Sequence, residues 1–349
     1  MTFAQIIQDN CVHHSPVSWW PKLAFHYTDV TNAVSILSSG RLYSRSNAQF
    51  LGVMKNENAS RQVIDMTQTQ ATANVRFYFR PLTPTQYHNE GYKHPLLRYA
   101  GDEGANMPVP VFFAFDLEKL LSMPGIRFSE KAQSGHGAEL YSTPEEFSRF
   151  HFDYIYGKGF DENWKETQKY RHAELLYPDH FDIHTCLNAV LCRNAVEQTT
   201  LLNLLFRKNQ KHFYQYAPLI KVCRKDMFEN NGLFITGCQY FDNTISVSFS
   251  STNNKKQHTR KEMERQGIAS LPPITLRLEL EWTKGIAPRE ETLRKLAAIA
   301  PVDYQNPQTI TFANVPAIPG TRTLHIRIYF NGSIMCYHTQ LLAGGDVIK

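Results

Sequence analysis

The last strongly patterned stretch of the chain, TLHIRIYFNGSIMCYH at 323–338, sets apolar residues at alternating positions on both sides of Asn331-Gly332. An Asn-Gly pair between two alternating segments closes a tight antiparallel hairpin, because both residues accept the left-handed backbone that a two-residue turn demands. PLIKVC, GLFITGCQYF, TISVSFS and ITLRLELEW carry the same β-branched and aromatic texture from about residue 205 onward, separated by turn residues. This half is therefore expected to be β-rich. The basic segment NNKKQHTRKEMERQG at 253–267 interrupts it and reads as exposed and helical towards its end.

The first half alternates irregularly between strand and helix signals. LAFHY reads as a short strand with His26 at its end. TNAVSILSSG follows as a helix with Thr31 as N-cap and Gly40 just past its last turn. The polar stretch from Ser44 to Thr72 reads as a long loop or weak helix. VRFYF at 75–79 is a strand stopped by two prolines, and VPVFFAF at 109–115 is the strongest buried strand. DLEKLL begins a short helix after it, and HFDYIY at 151–156 and AELLYP at 173–178 read as further strands. The chain is long enough for two domains, and the change in texture divides it into residues 1–209 and 210–349.

Composition narrows the class. Apolar residues make up 42% and charged residues 20%, which is globular, and no apolar stretch reaches the roughly 18 residues of a membrane span. The first residues have neither the cationic start nor the apolar run of an export signal, so no membrane association and a cytoplasmic location are expected. Six cysteines without CxxC pairs fit reduced buried thiols rather than a disulfide framework or zinc site, and no metal is expected. Formal charge is segregated: −1 over 1–40, +5 over 41–98, −7 over 99–182 and +8 over 183–349. Two regions thus suit a polyanion, and Lys255 and Lys256 are candidate nucleic-acid contacts. No glycine-rich phosphate loop is present, which argues against a dinucleotide-binding dehydrogenase.

Three segments belong together: FHYTDVTNAVSILSSGRLYSR at 25–45, VRFYFRPLTPTQYHNEG at 75–91 and KYRHAELLYP at 169–178. Over roughly residues 20–210 they resemble the DarT toxins, bacterial enzymes that use NAD to ADP-ribosylate bases of single-stranded DNA. The resemblance implies a mixed α/β ADP-ribosyltransferase fold, with the β-rich second half as an additional domain. It implies NAD as the ADP-ribose donor, held by His26, Thr28 and Asn32 of the first segment. Arg76 of the second segment and Arg171 of the third are further candidate NAD-binding residues. From the third segment it implies Glu174 as the key catalytic carboxylate. The aromatic strand and proline turn of the second segment, FYF-x-P-x-x-P, are the most diagnostic match. Many members of the family carry a basic residue directly after the first proline, where this chain has Leu82, so Arg80 becomes the expected catalytic cation.

The chemistry explains the residue types. Breaking a nicotinamide–ribose bond develops positive charge on the sugar, which a fixed carboxylate stabilises and a glutamine would not. A carboxylate also accepts a proton from an attacking base nitrogen. In this fold the loop before the key glutamate selects the acceptor, so Tyr154, Tyr156, Trp164 and Tyr170 are expected to include base-stacking residues. A base edge is reachable only when unpaired, so the acceptor is expected to be single-stranded DNA or RNA. The resemblance further implies a toxin or anti-phage effector restrained by an antitoxin. A catalytically silent nucleic-acid-binding module and a transferase acting on protein are the alternatives. The second half carries no motif attached to a reaction: nucleic-acid binding, docking and partner recognition through a sheet edge all stay open.

Overall fold

The computed structural model of the chain describes residues 1–57, 72–98, 106–133, 138–159, 162, 164–223 and 225–342. Part of the polar stretch 44–72 and of the loop after residue 123 lies outside them. The described residues form a mixed α/β first unit and a second unit dominated by β-sheets. The first comprises Met1–Asn89, Val111–Leu191 and Lys225–Glu229; the second comprises Glu90–Pro110, Cys192–Arg224 and Asn230–Lys349. The units interleave in sequence, so the helix Ala195–Lys208, which falls within 1–209, belongs to the second.

In the first unit, six strands form one sheet: β1 (Leu23–Asp29), β3 (Asn74–Tyr78), β4 (Pro110–Asp116), β5 (Arg127–Ser129), β6 (Glu174–Pro178) and β8 (Leu187–Cys192). They lie in the order β5-β6-β3-β1-β4-β8. A separate two-stranded ribbon pairs β2 (Arg41–Tyr43) with β7 (His180–Asp182). Every residue of β4 but the last is buried, as its unbroken apolar run requires. On β3 the period of two is explicit: Val75 and Phe77 are buried, while Arg76 and Tyr78 face the other side. The core is aromatic. Phe77 meets Phe115 at 5.1 Å and Phe181 at 5.2 Å, while Phe79 stacks on Phe147 at 5.6 Å. The N-terminal helix Phe3–His13 joins it through Phe3, edge-on to Phe128 and Phe147.

Three local readings change. β1 runs on to Asp29, so His26 lies within the strand rather than at its end. Asp29, not Thr31, caps the helix Val30–Ser39, because its carboxylate takes both the Thr31 amide (2.9 Å) and the Thr31 hydroxyl (2.7 Å). Gly40 ends that helix at φ 70°, as expected. HFDYIY is not a strand: Phe152–Tyr156 is a helical turn. Its aromatic content suggested β-structure, but Phe152 and Tyr156, four residues apart, stack on one helix face at 5.9 Å.

The second unit contains β9 (Ile220–Val222), a three-stranded sheet and a four-stranded sheet. The first of these sheets orders β10 (Ile235–Phe241), β11 (Thr244–Phe249) and β14 (Ile310–Phe312). The second orders β13 (Glu291–Val302), β12 (Ile274–Lys284), β15 (Thr323–Phe330) and β16 (Ser333–Leu341). β15 and β16 are the hairpin expected around Asn331-Gly332, both at positive φ. β13 was not legible, since ETLRKLAAIAPV is rich in helix formers; it is an exposed edge strand paired along its length with β12. The helix Ala195–Lys208 packs on β16, with Thr200 Oγ1 accepting from the Tyr337 amide at 3.0 Å. Arg193 is buried between the carboxylates of Glu90 and Glu197, its guanidinium 3.6 Å from the Phe234 ring centroid. The basic segment forms the helix Asn253–Gln266, capped by Thr252.

None of the six cysteines forms a disulfide, and all but Cys223 are buried. Among the described residues no helix is long and apolar enough to cross a membrane.

Gly91 and Gly232 meet where Tyr92 and Leu233 exchange backbone hydrogen bonds of 3.2 and 2.8 Å. A Cβ on Gly232 would lie 2.6 Å from the Gly91 backbone, and one on Gly91 would lie 2.8 Å from Gly232 Cα. Gly232→Ala is therefore expected to lower stability by at least about 2 kcal/mol, measured by denaturant unfolding; unchanged stability would contradict this close approach.

Candidate active site

Glu174 opens β6 directly opposite Tyr78 of β3, which places the two side chains on one face of the sheet. Arg76, two residues along β3, lies on that face and reaches diagonally back to the glutamate. Its Nε donates to Glu174 Oε2 at 2.5 Å and its Nη2 to Oε1 at 2.9 Å. The Gln133 amide adds a third donor to Oε1 at 2.6 Å. Glu174 is fully buried, whereas the Arg76 side chain keeps about a quarter of its surface exposed. The pair is thus a desolvated carboxylate held in a bidentate fork and open on the arginine side. Burial opposes the Arg76 charge, but the Glu174 carboxylate outweighs it and raises the guanidinium pKa. Burial and the same carboxylate raise the Tyr78 phenol, which stays a donor.

His26 lies beside this pair. Its Nδ1 is 3.0 Å from the Arg76 carbonyl oxygen, an atom that only accepts, so Nδ1 carries the proton. Burial lowers its pKa to about 4, the hydrogen bond to Arg76 partly opposing the shift. Neutral His26 therefore offers Nε2 as an acceptor. His172, just upstream of Glu174, is likewise lowered to about 4, first by burial and then by the positive charge of Arg76. Thr28 is buried on the same strand.

Asn32 orders the neighbouring segment: its Oδ1 accepts from the Lys55 and Asn56 amides at 2.7 and 3.1 Å, and its Nδ2 donates to Asn56 O at 2.7 Å. Arg171 is buried, with Nη2 on Gly159 O at 2.5 Å and its guanidinium 4.4 Å from the Trp164 ring centroid.

Arg80, expected as the catalytic cation, is placed differently. It is 2% exposed. Its Nη1 donates to Ile155 O and Gly157 O at 2.7 Å each and its Nε to Pro81 O at 2.9 Å. The guanidinium also sits 4.9 Å from the Trp20 ring centroid. Burial, then the charge of Arg171, lowers its pKa to about 9. The cation that touches Glu174 is Arg76, four residues earlier. Arg76 was legible as a candidate; Gln133 was not, because it acts through its backbone and no side-chain pattern marks it.

The expected nucleic-acid contacts also divide. Tyr156 is core, stacked on Phe152 and 2% exposed, and Tyr170 is buried. Tyr154 is 39% exposed and lies parallel to His151 at 5.9 Å. In the second unit, Lys256 is exposed, but Lys255 is buried, donating to Gln305 O at 3.2 Å 5.0 Å from the Tyr304 ring centroid. Burial lowers the Lys255 pKa to about 8. Lys256 and Arg260 line a groove of about 510 Å³ floored by Met263 and Ile268.

Two expectations follow. The unfolded chain takes up protons on histidine from about pH 6.5 downward, while folded His26 and His172 resist until about pH 4. Stability should therefore fall as pH drops through that window. The fall should be partly removed by His172→Gln, as read from thermal unfolding against pH; an equally steep profile in the variant would contradict the assignment. Arg80→Ala should cost on the order of 3 kcal/mol of stability by stranding three carbonyls, and Arg76→Ala about 3–5 kcal/mol, because it leaves the fully buried Glu174 carboxylate without its ion-pair partner. Calorimetry on both variants checks these losses.

A family model described as "ssDNA thymidine ADP-ribosyltransferase, DarT" matches residues 25–222. No curated protein matches. Among solved structures, Thermus sp. 2.9 DarT in complex with ADP-ribosylated ssDNA is similar at 16% identity and TM-score 0.48, over 60% of this chain and 96% of that one. The same DarT in complex with NAD+ gives 16% and 0.45, over 60% and 98%. Thermosipho africanus DarTG in complex with ADP-ribose gives 13% and 0.41, over 54% and 48%. With more than half of its length matched by the family model, and all three motif segments inside that match, this chain belongs to the DarT family.

Proposed function

We propose that the chain is an NAD-dependent transferase that moves ADP-ribose onto a base of single-stranded nucleic acid, with DNA as the acceptor. The observation that carries this reading is the buried Glu174 carboxylate, forked by Arg76 at the mouth of β6 inside the family match. NAD would supply an ADP-ribosyl group, electrophilic at the sugar carbon that bears nicotinamide. The residues present fit it: His26 Nε2 is an acceptor and suits a ribose hydroxyl rather than a diphosphate oxygen, and Arg76 keeps a partly exposed cationic face.

Each group then has a task. Arg76 and the Gln133 amide hold the Glu174 carboxylate immobile, so no reorganisation is needed when positive charge grows on the sugar. Glu174 bonds a ribose hydroxyl and takes the proton that the attacking base nitrogen releases. Asn32 fixes residues 55–56 beside the cleft, and Tyr154 offers an exposed aromatic face to an unpaired base. Lys256 and Arg260 are placed to follow a phosphate backbone. A toxin role with a dedicated antitoxin belongs to the same proposal and rests on family membership.

The test is mass spectrometry of short single-stranded DNA and RNA oligonucleotides, and of duplex DNA, after incubation with NAD. Single-stranded DNA should gain ADP-ribose and duplex DNA little. Glu174→Gln should lower the rate by about a hundredfold or more, and transfer should fall steeply with salt. Nicotinamide release with the ADP-ribose found on the protein rather than on the oligonucleotide would point instead to a protein acceptor, and with the ADP-ribose free in solution to hydrolysis of NAD. Absence of both with retained binding would point to a binding module.

A further inference from the structure

At the far end of the N-terminal helix, His13 and His14 both direct Nε2 at Asp153 Oδ1, each at 3.1 Å. The three ligand-capable atoms lie within 4.8 Å of one another. Asp153 comes from the first turn of the helix Phe152–Tyr156, so the cluster joins elements about 140 residues apart in sequence.

The orientation of His14 is informative. Its Nδ1 is 3.0 Å from the Asn10 carbonyl oxygen, which can only accept, so Nδ1 carries the hydrogen. In a neutral ring Nε2 then presents its lone pair to a carboxylate oxygen that also has only lone pairs. Two such acceptors at 3.1 Å need a positive centre between them, and a second imidazole aimed at the same oxygen supplies another lone pair or another proton. A carbonyl on Nδ1 that fixes the tautomer is the outer-sphere partner usual for a metal-binding histidine. The ring is held further by Tyr156, edge-on at 5.3 Å, and only a tenth of the His14 side chain is exposed.

We propose that His13, His14 and Asp153 bind a zinc ion. Zinc bonds to imidazole nitrogen and carboxylate oxygen run about 2.0–2.2 Å, which puts neighbouring tetrahedral ligands about 3.3 Å apart; the two 3.1 Å separations fit. Two imidazoles favour zinc over magnesium or calcium, which take oxygen. His13 and Asp153 are exposed, so water completes the coordination and the ion exchanges. Its effect is to clip the helix Phe3–His13 to the 152–157 segment, whose Ile155 and Gly157 carbonyls hold Arg80 and whose Tyr154 is exposed.

The full-length chain, stripped with chelator and dialysed, is titrated with Zn²⁺ by calorimetry and with Co²⁺ by visible absorption. One equivalent should bind, zinc should raise the unfolding temperature, and amides at 152–157 should gain protection from hydrogen exchange. Asp153→Asn and His13→Gln, both at exposed positions, should each weaken binding about tenfold or more while leaving the metal-free unfolding temperature unchanged. No one-equivalent binding by the parent chain, or full-strength binding in both variants, overturns the proposal and leaves a proton-bridged histidine–aspartate cluster only.

Discussion

The rest of the first unit is organised around the Arg76–Glu174 fork. A carboxylate removed from water is costly unless its lone pairs are matched, and here two guanidinium hydrogens and the Gln133 amide match them. The match needs β3 and β6 in one register, with Tyr78 opposite Glu174, because a slip by one residue would turn Arg76 into the core and Phe77 out of it. The same alternation that builds the Phe77, Phe115 and Phe181 cluster on one face therefore aims the charged pair on the other. Core and site are two faces of a single ladder.

Arginines in this unit divide by environment. Arg76 faces a carboxylate and keeps about a quarter of its side-chain surface exposed. Arg80 and Arg171 are buried against backbone carbonyls and tryptophan rings, where a guanidinium braces irregular chain better than any apolar side chain, since it donates to carbonyls that an apolar group would leave unmatched. The 152–159 segment depends on this bracing. His13 and His14 meet Asp153 of the same segment, the residue before Tyr154.

Much was legible from local patterns. The three motif segments, the buried run of β4, the Gly40 cap and the final Asn-Gly hairpin each carry their conformation in a few neighbouring residues. What misled was composition without period: FDYIY has strand-like residues but stacks at helical spacing, and the helix-like Glu291–Val302 is drawn into β13 by the open edge of β12. Lys255 was misplaced for a similar reason, because charge predicts exposure only on average and this lysine tucks beside Tyr304.

The sequence by itself determined the family and the β-rich character of the second half, and it singled out Glu174 as a candidate, because motif spacing and alternation are properties of short stretches of chain. Only the tertiary structure decided which arginine meets that glutamate, which tyrosine keeps an open face, and that two adjacent histidines converge on an aspartate far along the chain. Arg76 and Arg80 are both plausible in the one-dimensional pattern. They separate when the pleat sends one to the paired face and a proline turn buries the other among carbonyls, a choice made by packing and hydrogen-bond demand across distant segments.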